Sequence, residues 1–249
     1  YITGSLMDTP IVVDVWQLSL EGLKNADTSL FVCLSDTEKQ RAARFVFDSD
    51  RSRFIICRGL LRAALAKLLS LSPVEVTFNY GDKGKPCLQG SPLFFNLSHS
   101  NDQACIAACR EAALGVDVEH IRTPTRRTWV DLARRFFSAA EIVELMALPA
   151  SRQSEAFFAC WTRKEAYLKL HGLGLALPLN RFSVTVNPDM PAMLCSTEWR
   201  PEDVNKTSLY DLPVPGGYRS SLAIASIAPV TLNHISISSL ETFPFFERV

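Results

Sequence analysis

The sequence lacks an excess of charge of either sign, because its 26 Lys and Arg residues balance its 26 Asp and Glu residues. A neutral chain has no overall field that attracts nucleic acid or an anionic membrane, so binding an anion requires a local cluster of basic groups. No apolar run approaches the roughly 20 residues that a membrane-spanning helix needs. The first residues, Tyr1 to Ser5, lack the charged-then-apolar order of a signal peptide. Neither nucleic acid nor a membrane is therefore expected as a partner.

Paired cysteine motifs are also lacking, although the chain has seven cysteines. Their number is odd, they are scattered, and no C-x-x-C pair occurs. Cys105 and Cys109 have a spacing that a metal could use, but no histidine and no second pair lies near them. Scattered cysteines in apolar sequence are typical of buried, reduced thiols, so the sequence predicts a cytoplasmic protein.

What the sequence contains is an ordinary globular mixture, with 47% hydrophobic and 21% charged residues. Its 249 residues suffice for one large domain or two small ones. Hydrophobic periodicity predicts strands at 11–18, 74–80, 93–97, 103–108 and 114–119, and helices from 36 and at 50–69, 128–137, 139–147 and 152–170. The tail from residue 182 alternates like several further strands. The order of strand, helices and strands thus occurs twice, which indicates an α+β fold of two similar halves, 1–114 and 115–249.

An acidic pair lies in the segment G-V-D-V-E, residues 115–119. Side chains two apart on a strand point to the same face, about 6.6 Å apart along the chain, so Asp117 and Glu119 lie side by side while Val116 and Val118 face the core. Two like charges so placed repel each other, which is tolerable at a wet surface or with a cation between them. On its own, the pair is explained more simply as two solvated acids at the end of a strand.

A second motif, W-T-R-K-E-A-Y-L-K at residues 161–169, lies in a predicted helix that is otherwise strongly apolar. Trp161, Glu165 and Lys169 are spaced four residues apart and share one helix face. A carboxylate next to an ammonium on this face suits a metal ion and a phosphate, whereas an isolated pair of this kind is usually an ordinary surface ion pair. The tryptophan on the same face favours a face that is not simply solvated.

The third feature is the segment F-N-L-S-H-S, residues 95–100, at the end of a predicted strand. Adjacent Ser98 and His99 point to opposite sides of an extended backbone, so they do not form a nucleophile and base pair, and the chain has no G-x-S-x-G elbow. The hydroxyls, the imidazole and the backbone N–H groups suit the binding of an anion. A polar hairpin turn is the alternative interpretation.

Basic side chains are concentrated in residues 38–67, where eight Lys and Arg residues face three acidic ones. Lys83 and Lys85 follow in a glycine-rich turn, which is not a Walker A loop because Pro86 stands where that motif needs Ser or Thr. A basic helix is usually a solvated face, but this excess is large for a neutral protein. Taken together, the four features predict a site for a highly phosphorylated small molecule and a divalent metal ion.

These motifs resemble those of a known family. G-V-D-V-E, W-T-R-K-E-A-Y-L-K followed by G-x-G-L, F-N-L-S-H-S and the G-K-P turn are similar to the motifs of Sfp-type 4′-phosphopantetheinyl transferases and occur in the same order. The resemblance runs from about Arg41 to Leu175, while the first 35 residues and those after Val184 carry no such motif. It implies an α+β fold in which a pseudo-twofold pair of similar subdomains holds coenzyme A in the cleft between them.

The resemblance also implies roles for single residues. Asp117, Glu119 and Glu165 resemble the ligands of Mg²⁺, and Lys169 resembles the lysine that binds the pyrophosphate of coenzyme A. The catalytic residues that it implies are Glu165, Lys169 and Asp117. The residues that it implies for binding coenzyme A are Arg41, Arg53, Lys83, Lys85, Pro86, Asn96, Ser98, His99 and Lys169. Within that set, the pocket of the adenosine 3′-phosphate is expected at Arg53, Lys85, Ser98 and His99.

The activity that the resemblance implies is Mg²⁺-dependent transfer of 4′-phosphopantetheine from coenzyme A to a serine of an apo acyl or peptidyl carrier protein, which releases adenosine 3′,5′-bisphosphate. Carrier proteins are typically acidic near that serine, so a basic docking segment is expected at Arg122, Arg126, Arg127, Arg134 and Arg135. A fold that already mimics a dimer is expected to act as a monomer. Two alternatives stay open: a non-catalytic module that binds coenzyme A or a nucleotide, and a metal-dependent phosphohydrolase.

Overall fold

The first part of the chain folds as a strand, three helices and two hairpins. The structure is a computed structural model that describes residues 10–122 and 128–243. Helix α2 begins at a capping box, in which Ser35 and Glu38 each accept a hydrogen bond from the other's backbone N–H. The elements are β1 (Ile11–Ser19), α1 (Asp27–Phe31), α2 (Asp36–Ala42), α3 (Asp48–Leu69), β2 (Phe78–Tyr80), β3 (Pro86–Leu88), β4 (Phe94–Ser100) and β5 (Gln103–Cys109).

The second part begins with a strand and places three helices before its remaining strands. Its elements are β6 (Leu114–His120), α4 (Trp129–Phe136), α5 (Ala139–Ala147), α6 (Ala150–His171), β7 (Phe182–Val184), β8 (Leu194–Thr197), β9 (Ser208–Asp211), β10 (Tyr218–Ile224) and β11 (Val230–Ile237). Short 3-10 helices lie at Pro73–Glu75, Gly174–Ala176, Leu179–Arg181, Pro201–Asn205 and Leu240–Thr242. Among the described residues, no helix combines the length and the apolar character needed to cross a bilayer.

Two larger sheets organise these elements and confirm the predicted α+β class. The first has the strand order β11-β1-β5-β4 and the second β6-β10-β9, while β2-β3 and β7-β8 form two small sheets. Strand β11 runs parallel to β1, with Ile11 opposite Val230, and the other pairs are antiparallel. The C-terminal segment therefore adds a strand to the first sheet. The division of the chain at residues 114 and 115 stays a prediction.

Apolar side chains pack in three clusters that order the layers. Leu60 of α3 shares a cluster with Trp16 and Ile106 of the first sheet. Tyr167 of α6 shares another with Ala223 of the second sheet. The third cluster fills the space between the two sheets and includes Val13, Val15, Val116, Val118 and Leu222. The layers therefore follow the order α3, first sheet, second sheet, α6, and their core is driven by burial of apolar surface.

Most predicted elements match the structure within a few residues, with differences at three places. The three-residue strand β3 was not predicted. Helix α1 was not predicted, because its five residues are too short for a helical period to emerge. The predicted strand at 74–80 holds a 3-10 turn at Pro73–Glu75 before β2, because Ser72 and Glu75 form a capping box there. Gly172, with φ of 66°, ends α6 in the left-handed conformation that glycine adopts readily.

Gly115 lets α6 lie directly on β6. A Cβ atom at this position would collide with the backbone of Ala166 and Leu170. The helix therefore approaches the strand more closely than any side chain there would allow. This contact sets Lys169 and Glu165 above the strand that carries Asp117.

Candidate active site at the junction of β4, β6 and α6

Three residues form the accessible stripe of α6 over Ala156–Leu170. Trp161, Glu165 and Lys169 are partly exposed, whereas the remaining residues of this stretch are buried. On β6, Val116 and Val118 are buried as predicted, and Asp117 is also buried, with 3% of its surface exposed. The prediction of two solvated acids therefore does not describe Asp117.

Asp117 makes the central polar contacts of this site. Its Oδ1 accepts hydrogen bonds from Lys169 Nζ at 2.6 Å and from Ser98 Oγ at 2.8 Å, and Lys169 Nζ also donates to Ser98 Oγ at 2.7 Å. The other oxygen, Oδ2, is buried and has no hydrogen-bond partner among the described residues. A buried carboxylate oxygen without a partner is costly, so this atom is a natural place for a cation to bind.

A ladder of side chains joins β4 to β6. Asn96 Oδ1 accepts a hydrogen bond from Val116 N at 3.0 Å, Ser98 Oγ accepts from Val118 N at 3.3 Å, and Ser100 Oγ accepts from His120 N at 3.1 Å. The period of two follows from the alternation of side chains along a strand. We call this set, Asn96, Ser98 and Ser100, the β4 ladder.

The β4 ladder also orients the acidic residues of β6. Ser100 Oγ donates to Glu119 Oε2 at 2.7 Å, as Ser98 does to Asp117. A hydroxyl can donate one hydrogen bond while it accepts others, so each serine binds both the backbone and the carboxylate of β6. The spacing of the two acids is thereby set by the spacing of the two serines.

The three acidic groups influence one another's ionisation. Burial, followed by the charge of Asp117, raises the pKa of Glu165 to about 7, and Glu119 adds to the rise while Lys169 opposes it. The pKa of Glu119 is also raised, chiefly by burial and further by Asp117, against the opposing hydrogen bond from Ser100. These effects require Asp117, Glu119 and Glu165 to lie near one another.

The fit of these residues to a divalent metal can be judged from their chemistry. In the described part of the chain, no three side chains of the His, Cys, Asp and Glu types form a ready-made metal cluster. However, Asp117 Oδ2 is unpartnered, and carboxylate oxygens are the hard ligands that Mg²⁺ prefers. A cation between the acids would also relieve their mutual repulsion, which adds to the effect of burial on the pKa of Glu165. The donor set therefore fits Mg²⁺, with Lys169 and Ser98 bound to the other oxygen of Asp117.

A cavity of about 480 Å³ lies beside β4, where Asn96, Leu97 and His99 line it, between α3 and the β2–β3 hairpin. Of the residues predicted to bind coenzyme A, five line it: Arg41, Arg53, Pro86, Asn96 and His99. Burial, followed by the charges of Arg53 and Lys169, holds the pKa of His99 below its ordinary value. The remaining lining residues include the aromatic Phe45, Phe54 and Tyr80 and the basic Arg58. We call it the β4–α3 cavity.

The other predicted phosphate-binding residues do not line this cavity. Ser98 points from the opposite face of β4 toward Asp117, as the alternation along the strand requires. Lys83 is exposed in the hairpin turn. Lys85 Nζ donates to Leu114 O at 2.9 Å and to Leu170 O at 3.0 Å, and burial lowers its pKa to about 8.

The W-T-R-K-E-A-Y-L-K segment also contains two charged residues that lie away from the site. Arg163 and Lys164 are fully buried: Arg163 binds Asp211 and the carbonyls of Thr185 and Met190, and Lys164 binds both oxygens of Glu141. They hold the second part of the chain together and do not reach the site. Residue type alone does not distinguish these two buried residues from Glu165 and Lys169. Only their positions around the helix do.

Sequence reasoning missed three residues that shape the site. Ser100 lies in the F-N-L-S-H-S motif, and its spacing of two from Ser98 is the signal that could have identified it. In the sequence, Arg58 is only one of the eight basic residues at 38–67. Tyr80 had no signal in the sequence, because its place on the cavity depends on the packing of the β2–β3 hairpin.

The predicted docking arginines are only partly described. Arg126 and Arg127 lie outside the described residues. Burial raises the pKa of Glu119, and the charge of Arg122 is among the effects that oppose this rise, so Arg122 lies near the acidic group. Arg134 has a side chain that is 60% exposed and lies 3.7 Å from Asp131.

Two family models match the chain. A model described as 4′-phosphopantetheinyl transferase superfamily matches residues 113–220, and one described as 4′-phosphopantetheinyl transferase, N-terminal, matches residues 16–111. Together they include β4, β6 and α6.

Curated proteins with similar sequences carry the same description. The chain is 39% identical over 186 residues to the 4′-phosphopantetheinyl transferase HetI of a Nostoc species, which covers 73% of this chain and 77% of the relative. It is 33% identical over 208 residues to a 4′-phosphopantetheinyl transferase of Bacillus pumilus, covering 82% and 84%. It is 31% identical over 157 residues to the 4′-phosphopantetheinyl transferase Sfp of Bacillus subtilis, covering 63% and 68%.

Proposed function

This chain belongs to the 4′-phosphopantetheinyl transferase family and is an enzyme, and we propose that it transfers 4′-phosphopantetheine from coenzyme A to a serine of an apo carrier protein with Mg²⁺ as cofactor. The observation that carries the proposal is that one strand, β4, borders both the acidic group at Asp117 and the β4–α3 cavity. The acidic group suits a cation, which together with Lys169 would bind a pyrophosphate, and the cavity suits an adenosine phosphate.

Coenzyme A is proposed to cross β4 with its nucleotide end in the cavity. Arg53 supplies a guanidinium group and His99 an imidazole to that end, and Arg41 lies with its guanidinium carbon 5.0 Å from the Phe54 ring centroid. The pyrophosphate then reaches Lys169 and Ser98 at the other side of the strand. We propose that this path runs in a cleft between two α+β halves that form a pseudo-twofold pair. The long helix packed on each of the two larger sheets supports this proposal.

We assign Mg²⁺ to Asp117, Glu119 and Glu165. When bound, the ion neutralises negative charge on the pyrophosphate and orients it. Support comes from the unpartnered oxygen of Asp117 and from the mutual effect of the three acids on their ionisation. A non-catalytic binding module would have no use for such an acidic group, and a two-metal phosphohydrolase would need ligands for a second ion.

The transfer step is a displacement at the β-phosphorus. The carrier serine oxygen bonds to that phosphorus, the bond to the bridging oxygen breaks, and adenosine 3′,5′-bisphosphate leaves with that oxygen. Lys169 places its ammonium group where negative charge grows on the transferring group. Glu165, the acid on the accessible stripe of α6, is assigned to accept the proton of the serine hydroxyl.

The partner is proposed to be an acyl or peptidyl carrier protein that meets the chain on its basic side, near Arg122 and Arg134. The enzyme is proposed to act as a monomer in the cytoplasm. All seven cysteines lie in the described residues as free thiols and five of them are buried, which supports a reducing compartment.

The test is incubation of the protein with an apo carrier protein, coenzyme A and Mg²⁺, followed by mass spectrometry of the carrier. We expect the addition of one phosphopantetheine. Asp117→Ala and Glu165→Gln should each reduce the rate at least about a hundredfold, because loss of a ligand of the single metal removes several kcal/mol of transition-state stabilisation.

Controls separate this proposal from its alternatives. Glu198→Gln removes an exposed carboxylate paired with Arg181, so it should leave the rate unchanged. Near-normal turnover of either site variant at saturating Mg²⁺ would contradict the metal assignment. Coenzyme A binding without transfer to any carrier would favour a binding module, and hydrolysis of coenzyme A with two bound ions would favour a phosphohydrolase.

A further inference from the structure

The β4–α3 cavity has two walls of different chemistry. One wall carries Arg41 of α2, Phe45 of the loop between α2 and α3, and Phe54 of α3, with the two phenylalanine ring centroids 5.4 Å apart. The opposite wall is the β2–β3 hairpin, where Tyr80 pairs with Pro86 across the two strands. The cavity therefore presents aromatic rings on both sides.

Tyr80 is unusually exposed for a ring that lines a cavity. It is 58% exposed, although Phe78, two residues earlier on the same face of β2, packs against the core and lies 5.5 Å from Phe95 between ring centroids. On this face of β2, Phe78 therefore packs in the core, whereas Tyr80 lies beyond the edge of the core, over the cavity. An exposed ring in this position has one face available for a ligand.

Arg58 fixes the position of the Tyr80 ring. Its Nη2 donates to the Tyr80 hydroxyl at 2.8 Å, and its guanidinium carbon lies 4.0 Å from the Phe78 ring centroid. The Nε group donates to Glu38, and the Arg58 side chain is only 11% exposed. Glu38 is itself held by Arg62 and by the backbone N–H of Ser35. Because each member is held by others, the tyrosine hydroxyl has a fixed anchor before any ligand binds.

We infer that Tyr80 is the platform on which the donor's purine base stacks, and that Arg58 is the residue that positions it. This inference rests on the proposed function and adds the residues that recognise the base. The base is flat and aromatic, so it gains from a ring held in place in advance, and it lies between Tyr80 and the Phe45–Phe54 wall. The phosphates of the same nucleotide then face Arg53 and His99.

Isothermal titration with two related ligands tests this assignment. Adenosine 3′,5′-bisphosphate carries the base, and ribose 3,5-bisphosphate carries the same phosphates without it. We expect Tyr80→Ala to raise the dissociation constant of the first ligand roughly 5- to 100-fold and to leave that of the second unchanged. Tyr80→Phe keeps the ring and loses only the anchor, so its effect should be smaller, about two- to tenfold.

The choice of variants keeps the test clear of folding defects. Tyr80→Phe leaves Arg58 in place, so Glu38 keeps both of its arginine partners, Arg58 and Arg62. A variant of Arg58 would remove one of them. Phe94→Ala is the matched control, because Phe94 is a 42% exposed aromatic residue that does not line the cavity, and it should bind both ligands as the wild type does.

Each contrary result has its own meaning. If the wild type binds adenosine 3′,5′-bisphosphate and Tyr80→Ala binds it equally well, the assignment of Tyr80 is wrong while the proposed function stands. An equal loss of both ligands in Tyr80→Ala would also overturn it, since the ring would then act through the shape of the hairpin. A wild-type protein that binds neither the bisphosphate nor coenzyme A would overturn the proposed function together with this inference.

Discussion

At the scale of single residues, neighbouring positions of the W-T-R-K-E-A-Y-L-K segment have different roles: some stabilise the fold, and others face the proposed active site. Lys164 is fully buried and donates to both oxygens of Glu141, at 2.6 and 2.8 Å, and to Phe182 O. Its neighbour Glu165 turns to the accessible stripe. A rotation of about 100° between consecutive helical residues is enough to separate the two roles.

Lys164→Met is therefore expected to lower stability and Glu165→Gln to leave it unchanged or raise it. Removing one partner of a buried ion pair leaves the other charge unpaired, which costs about 3–5 kcal/mol. Urea unfolding of both variants measures this difference. The double variant Lys164→Met/Glu141→Leu should recover part of the loss, and a Lys164→Met protein as stable as the wild type would contradict the role given to this pair.

At the scale of elements, the C-terminal end of α6 is held by a lysine from a distant hairpin. Lys85 donates to Leu170 O, one of the last carbonyls of the helix, and to Leu114 O at the start of β6. A cation at a helix C-terminus is favourable, and it satisfies a carbonyl that the helix itself leaves without a partner. The same lysine thus links the β2–β3 hairpin to the helix that carries Lys169.

The buried position of Lys85 predicts a pH dependence of stability. Burial lowers its pKa from 10.5 to about 8, so between these values the unfolded chain binds more protons than the folded one. Stability should accordingly rise with pH across this window. The free energy of unfolding of the wild type relative to Lys85→Met should increase from pH 8 to pH 10, as measured by urea titration. A constant difference would mean that the ammonium is well solvated.

At the scale of the whole molecule, the β4 ladder joins the two sheets. Strand β6 lies at the edge of the second sheet, and three of its N–H groups are bound by side chains of β4. Because side chains make these hydrogen bonds, hydroxyl and carboxylate groups fit between the two strands. Direct backbone hydrogen bonds between β4 and β6 would leave no room for them. The proposed active site thus lies where the two sheets join.

Ser100→Ala should loosen this joint locally. The variant leaves His120 N–H without its acceptor and Glu119 without its donor, at a cost of about 1–3 kcal/mol for the unsatisfied groups. Amide hydrogen exchange should become faster at His120, while Ser100→Thr, which keeps a hydroxyl, should restore protection. Equal protection in all three proteins would show that the ladder contributes nothing to the joint.

Recognition of the carrier is also a property of the whole surface, because a chain with no net charge steers a partner only through local patches. Reversal of Arg126 and Arg127 to Glu should raise KM for the carrier and leave KM for coenzyme A unchanged. Salt screens exposed charges over about 8 Å at physiological ionic strength, so carrier KM of the wild type should rise with salt more steeply than that of the variant. Arg181→Glu serves as the control, and matching salt curves would contradict the docking role.

Local patterns in the sequence were sufficient for much of the fold. Periods of two and of three to four residues report which neighbours along the chain share a face, so β1, α3, β5, β6 and α6 were predicted within a few residues. The same periodicity predicted the stripe of Trp161, Glu165 and Lys169. It also predicted that Ser98 and His99 point apart, which the two faces of β4 confirm.

Contacts between distant segments were decided only by the tertiary structure. The parallel pairing of β11 with β1, the meeting of Lys85 with the end of α6, and the burial of Asp117 beside Ser98 have no counterpart in a local period. Each depends on which surfaces of separate elements bury the most apolar area and satisfy the most polar groups when they pack. The buried area and the polar contacts are properties of two elements that are far apart in the chain. A local sequence pattern describes only one element at a time.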